Sequence, residues 1–135
     1  MTDKLTKKQR SYLMSQVRPQ NSLIELTVFS FLRRKGIHFQ KHYKRAPGTP
    51  DIAKPSEKKA VFVHSDFWHG WRYPVWAHTL SNDFWRTKIE QNRKRDQRKI
   101  KQLRALGWEV MVIWEHSLKR REEATLERIA DFLKG

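Results

Sequence analysis

Five residues carry the chemistry this sequence can offer: Glu25, Asp51, His64, Asp66 and His69. Val61-Phe62-Val63 is an apolar strand that ends on His64, and Ser65, Asp66, Phe67, Trp68 and His69 follow at once. Asp51, behind Pro50, opens an earlier short strand. If the two strands form a hairpin, their ends are neighbours across the ladder, so Asp51 and His64 converge whatever the register. His69 follows along an irregular stretch and can fold back over the same point. Hydrolysis of a phosphodiester asks for such a set: a carboxylate to hold a metal, a base to activate water, and positive charge to meet the developing negative charge. Each residue also has a plainer reading. Asp51 after proline can be a turn residue, a histidine at a strand end can be structural, and Glu25 in Ser22-Leu23-Ile24-Glu25 fits a capping box.

The composition narrows the substrate. The 135 residues contain 29 Lys and Arg against 14 Asp and Glu, a formal charge of +15 that points to a polyanionic partner. With 38% hydrophobic residues and six tryptophans the chain can build a core of its own, and we read residues 1–135 as one domain. No apolar run approaches the ~20 residues that span a bilayer, so no membrane partner is expected. The first ten residues lack the apolar core of a signal peptide, and there is no cysteine for a disulfide or a thiolate zinc site. These features suggest a cytoplasmic, nucleoid-associated protein.

The elements that position the site follow from periodicity. A basic segment over 6–17 carries Leu13, Met14 and Val17, and Arg18-Pro19 breaks it. A helix is expected from Ser22 to Lys35, with Ile24, Val28, Phe31 and Leu32 inward and Gly36 as its stop. "GIHFQKHYKR" alternates like a strand and "APGTP" is a turn. "PDIAK" and "KAVFVH" form a hairpin through Pro55-Ser56-Glu57. A long helix runs from about Asp83 to Leu106 and stops at Gly107. "WEVMVIWE" reads as a buried central strand, and one last helix uses Leu126, Ile129, Ala130 and Leu133. The order predicts an α/β fold, a mixed central sheet flanked by helices.

Two features of the long helix bear on function. Its apolar stripe through Trp85, Ile89, Ile100 and Leu103 also carries Asn92 and Asp96, polar groups that need partners there. These are either tertiary caps or part of a site. Between Arg86 and Arg104, nine basic residues face two acidic ones. That imbalance favours phosphate contact, with Arg93 and Lys94 among the candidates. Phe67-Trp68 and Met14 have the chemistry of wedges pushed between base pairs, although core packing is the plainer role for each.

Taken together, "RSYLMSQVR", "NSLIEL", "PGTPDI", "VFVHSDFWH", "FWRTKIEQNRKRDQRKIKQLRALGWEVMVIWE" and "SL" resemble the very-short-patch repair endonucleases, which nick DNA beside a thymine-guanine mismatch. The matching pieces fall in order from about Arg10 to the final helix. The resemblance implies a restriction-endonuclease-like fold of the PD-(D/E)XK type. It implies Asp51 as principal Mg2+ ligand with the Val63 backbone carbonyl, His69 as the base for water, His64 at the scissile phosphate and Glu25 as a supporting carboxylate. It also implies that Met14, Phe67, Trp68 and Trp85 wedge into the duplex, with residues 1–20 as a DNA-contacting segment.

The family's structural zinc, held by cysteines and histidine, meets Asp66, Trp71, Tyr73 and His116 here. No four-ligand set is visible, so no structural zinc is expected, and packing by Trp71, Tyr73 and Trp76 takes its place. In related nucleases Asp66 joins the active-site acids. The expected function is Mg2+-dependent nicking of one strand of double-stranded DNA at or near a T:G mismatch, in repair and with DNA-repair proteins as partners. The small size and the absence of a dimer stripe point to a monomer. Two rivals stand beside it: a restriction-like or mobile-element endonuclease without mismatch specificity, and a non-catalytic DNA-binding module.

Overall fold

The computed structural model describes residues 23–66 and 83–135. Helix α1 spans Leu23–Arg34, β1 Gln40–Lys41, β2 Ile52–Lys54 and β3 Lys59–His64. Helix α2 covers Asp83–Ala105, β4 Glu109–Trp114, α3 Glu115–Arg120 and α4 Glu122–Lys134. The strands form one mixed sheet in the order β1-β2-β3-β4, with β1, β2 and β3 antiparallel and β3 parallel to β4. α2 lies in the crossover between the parallel pair.

Alternation along β3 feeds two core layers, because successive side chains leave a strand on opposite faces. Val61 and Val63 pack with Ile52 and Ile113 against Val28, Phe29 and Leu32 of α1 and Leu126, Ile129 and Leu133 of α4. Ala60 and Phe62 turn to the other face, where Leu103 and Ile100 of α2 cover them. All six residues of β3 are buried, the pattern of a strand covered on both faces. The expected central strand is therefore β3. β4 stands at the edge of the sheet among the described residues and is mostly half-buried. Its apolar run looked central because it packs on α2 and α4 at once, and sequence alone does not separate that from two strand neighbours.

Other expectations meet the structure more closely. Gly36 and Gly107 stop their helices with φ of +72° and +88°, the left-handed conformation glycine adopts without strain. Pro55–Glu57 is a 3-10 turn closing the β2-β3 hairpin, with Lys58 in the left-handed region behind it. The stretch around His38 to Arg45 keeps only two strand residues. The single final helix is two, broken at Arg121, whose φ of −138° is not helical.

Two lysines of the hairpin tie its turn end to the last helix. Lys54 Nζ donates to the Leu133 carbonyl and Lys59 Nζ to the Phe132 carbonyl, both at 2.9 Å. Helix C-termini leave carbonyls without intrahelical donors, and an ammonium there both satisfies them and complements the helix dipole. Lys59 is itself buried, so this contact matters more than a surface pair. Lys59→Met is expected to lower stability by about 1–3 kcal/mol. In urea this appears as a lower midpoint with an unchanged m-value. An unchanged midpoint would contradict the assigned role.

Candidate active site

The site forms where β2 runs out and β3 continues. Extending the β2-β3 register beyond Ile52↔Val61 brings Pro50 opposite Val63, and proline has no N–H to give the ladder. The Val63 N–H instead donates to Asp51 Oδ2 at 2.7 Å. In an extended strand the N–H and C=O of one residue leave on the same side, so the Val63 carbonyl also faces the Asp51 edge. The Pro50 carbonyl accepts from Tyr43 N and the Asp51 carbonyl from His42 N, each at 3.0 Å, which fixes the backbone carrying Asp51.

Glu25 arrives from the first turn of α1, buried among apolar neighbours that hold the helix on the sheet. Its Oε2 lies 3.0 Å from His42 Nε2. The ligand atoms of Glu25, His42 and Asp51 are all within 4.8 Å of one another. Ser22, the other half of the capping-box reading, lies outside the described residues.

Two carboxylates in one poorly hydrated place cannot both ionise at low cost. Asp51 shows this: burial pushes its carboxyl up to about 8 from 3.8. The adjacent Glu25 adds to the rise through its charge and a hydrogen bond, and the Val63 N–H acts against it. A divalent cation relieves the same conflict. The residues fit one, since oxygen donors from two carboxylates and a backbone carbonyl suit a hard ion.

Above the pair opens a cavity of about 760 Å³, lined by Glu25, Asp51, Val63 and His64 at its base. Lys44, Arg45, Arg95 and Lys99 supply its cationic walls. His64 is buried, with its ring 5.2 Å from Trp114 edge-on and 5.9 Å from Phe62. Gly48 lets the "APGTP" turn approach the helix. A Cβ on Gly48 would sit 3.0 Å from Lys99 Cβ and 3.2 Å from the Phe62 ring.

The structure thus brings Asp51, His64 and Glu25 together with the Val63 backbone. Asp66 stands apart from the cavity lining. Its Oδ1 accepts from His116 Nδ1 at 2.9 Å and from the His116 N–H at 3.3 Å, and its own N–H donates to Glu115 Oε1. These bonds tie Asp66 to the start of α3. On α2, Asp96 lines the cavity, and its place on the apolar stripe reflects that role. Arg93 and Lys94 lie on the same helix but outside the lining, whereas Arg95 and Lys99 reach it. Met14, Phe67, Trp68, His69, Trp71, Tyr73 and Trp76 lie outside the described residues, as does the side chain of Trp85 within α2. Reading the sequence alone misses His42. The one signal was its position in the segment paired with the Asp51 strand.

A carboxylate pair at a sheet end, roofed by lysine and arginine, has the charges to face a cation and a polyanion backbone together. The model of the DNA mismatch endonuclease Vsr family matches residues 2–74. The chain is 46% identical to the type II nicking enzyme V.XorIIP of Xanthomonas oryzae pv. oryzae, covering 97% of this chain and 98% of that protein. It is 33% identical to the DNA mismatch endonuclease Vsr of Escherichia coli, over 100% of this chain and 90% of that one. It is 36% identical to the type II nicking enzyme V.NmeAIP of Neisseria meningitidis, over 90% and 87%. The chain belongs to the Vsr endonuclease family. It is an endodeoxyribonuclease with a restriction-endonuclease-like fold, and its partner is DNA. No helix among the described residues is long and apolar enough to cross a membrane.

The raised Asp51 pKa has a thermodynamic consequence. Between about pH 4 and 8, Asp51 is protonated in the folded protein and ionised in the unfolded chain. The folded state then holds more protons, so metal-free stability falls as pH rises through this window and levels off above it. Asp51→Asn removes the ionisation and should flatten the fall. At pH 8 in chelator the variant should be the more stable protein by more than ~1.4 kcal/mol, the worth of one pKa unit. Denaturant titrations across the pH range check this, and parallel curves for the two proteins would rule it out.

Proposed function

We propose that this protein nicks one strand of double-stranded DNA at or near a T:G mismatch, with Mg2+ as its cation. The observation that carries this reading is the convergence of Glu25 and Asp51 under a cationic cleft in a chain of this family. The relative from Escherichia coli carries the name of a mismatch endonuclease, and those from Xanthomonas and Neisseria the names of nicking enzymes.

In this reading the carboxylate of Asp51 and the carbonyl of Val63 hold the cation, with Glu25 as the supporting carboxylate. When bound, the cation supplies Lewis-acid neutralisation of the charge that builds on the phosphate oxygens. His69 takes the proton of the attacking water, and His64, steadied between Phe62 and Trp114, meets the scissile phosphate. Lys44, Arg45, Arg95 and Lys99 receive the flanking phosphates, and Arg93 and Lys94 extend that contact along α2. Met14, Phe67, Trp68 and Trp85 open the duplex at the mismatch. Asp66, tied to His116, stays a candidate for a further active-site acid.

A second reading has its own support, since two of the relatives are named type II nicking enzymes. There the strand cut survives and the mismatch requirement is absent. Two end-labelled duplexes, identical but for one T:G pair, separate the readings. The proposal expects Mg2+-dependent nicking of the mismatched duplex alone, lost by at least ~10²-fold in Asp51→Ala. Equal nicking of both duplexes would overturn the mismatch requirement and leave the second reading. Undiminished cutting by Asp51→Ala would overturn the site.

A further inference from the structure

His42 touches both halves of the carboxylate pair. Its backbone N–H donates to the Asp51 carbonyl at 3.0 Å, and its Nε2 meets Glu25 Oε2 at 3.0 Å. A carboxylate oxygen accepts, so Nε2 is the ring nitrogen that carries the proton in this contact. The ring is largely buried, with 13% of the side chain exposed, and packs edge-on against Phe29 at 5.8 Å. Its backbone is held at φ +47°, a left-handed conformation uncommon outside glycine and found where surrounding structure imposes it.

The imidazole is not among the residues lining the cavity, whereas Glu25 and Asp51 are. It meets the Glu25 carboxylate at 3.0 Å, with a ring nitrogen also within 4.8 Å of an Asp51 carboxylate oxygen. Glu25 sits on α1 and Asp51 on the hairpin, two elements joined by core packing. Once Asp51 gives up its proton to make way for a cation, like charge pushes a flexible glutamate away from it. Holding Glu25 in place for a cation calls for a donor on its carboxylate, and the imidazole of His42 meets its Oε2.

We propose that His42 is a positioning residue for the cation site: through Nε2 it holds the Glu25 carboxylate facing Asp51, so that the two acids are set for one divalent ion. This rests on the reading that Glu25 and Asp51 hold the cation. A donor behind a ligating carboxylate contributes about 10- to 100-fold in metal affinity in comparable sites. A side-chain donor at the same reach should do the same work, so glutamine, whose amide nitrogen falls near Nε2, is the conservative replacement.

The test is Mn2+ and Mg2+ binding to the metal-free protein, by calorimetry for both ions and by the electron paramagnetic resonance of free Mn2+. Wild type, His42→Leu, His42→Gln, Glu25→Gln and the double variant Glu25→Gln/His42→Leu are compared, each checked for folding by circular dichroism. His42→Leu should weaken both cations by about tenfold or more, while His42→Gln stays within about threefold of wild type. In the Glu25→Gln background the leucine substitution should have little further effect, because its route runs through Glu25. This cycle holds even if His42→Leu lowers general stability, since a merely structural role would weaken binding equally in both backgrounds. Unchanged affinity in His42→Leu, or equal loss in His42→Gln and His42→Leu, overturns the positioning role and leaves the cation site standing. Wild type that binds neither cation overturns the cation site itself.

Discussion

Two carboxylates from different elements are held side by side where water cannot fully screen them, and much of this structure is arranged around that constraint. The Glu25-Asp51 pair is unfavourable there, and the Asp51 pKa, raised chiefly by burial and further by Glu25, records the cost. The fold imposes the arrangement by fixing each partner independently. α1 is pinned by Val28, Phe29 and Leu32, and Asp51 by the Val63 N–H and the backbone bonds to His42. A buried strand with cores on both faces gives both anchors one rigid reference. A positive charge placed between the two carboxylates offsets that cost.

The electrostatics of the wider surface point the same way. A chain of charge +15 attracts DNA from any direction, but attraction alone does not bring a phosphate to two acids. Lys44 and Arg45 from the turn side and Arg95 and Lys99 from α2 close around the cavity, so the positive potential is focused above a negative floor. Gly48 permits this closeness, because a Cβ there would press on Lys99 and Phe62 and its φ of +82° strains any side chain. The hairpin's own lysines, Lys54 and Lys59, are instead used on the end of α4. Basic residues thus divide between holding the scaffold and lining the cavity, a division that composition cannot express.

What was legible in the sequence follows from what is local. The apolar spacing of α1, the glycine stops at 36 and 107, and the turn at Pro55–Glu57 each depend on a few adjacent residues. The meeting of Asp51 and His64 was readable because a hairpin brings its open ends together in any register. Glu25 rose above its capping-box reading only through the family resemblance, since that pattern explained it locally. The His42-Glu25 contact was invisible: it needs the angle at which α1 lies on the sheet, which no periodicity encodes. The same applies to Asp66 and His116, and to the lysines that meet α4. The position of β4 was misjudged because an apolar run reports burial, and burial at a sheet edge by two helices looks the same as burial between strands.

Whether Glu25 and Asp51 hold a divalent cation at the end of β3 is tested most directly by anomalous diffraction from crystals equilibrated with Mn2+. One strong anomalous peak is expected, bounded by the Asp51 and Glu25 carboxylates and the Val63 carbonyl, with His42 still in contact with Glu25. A peak at Asp66 and His116, or none near Asp51 at saturating Mn2+, would contradict it.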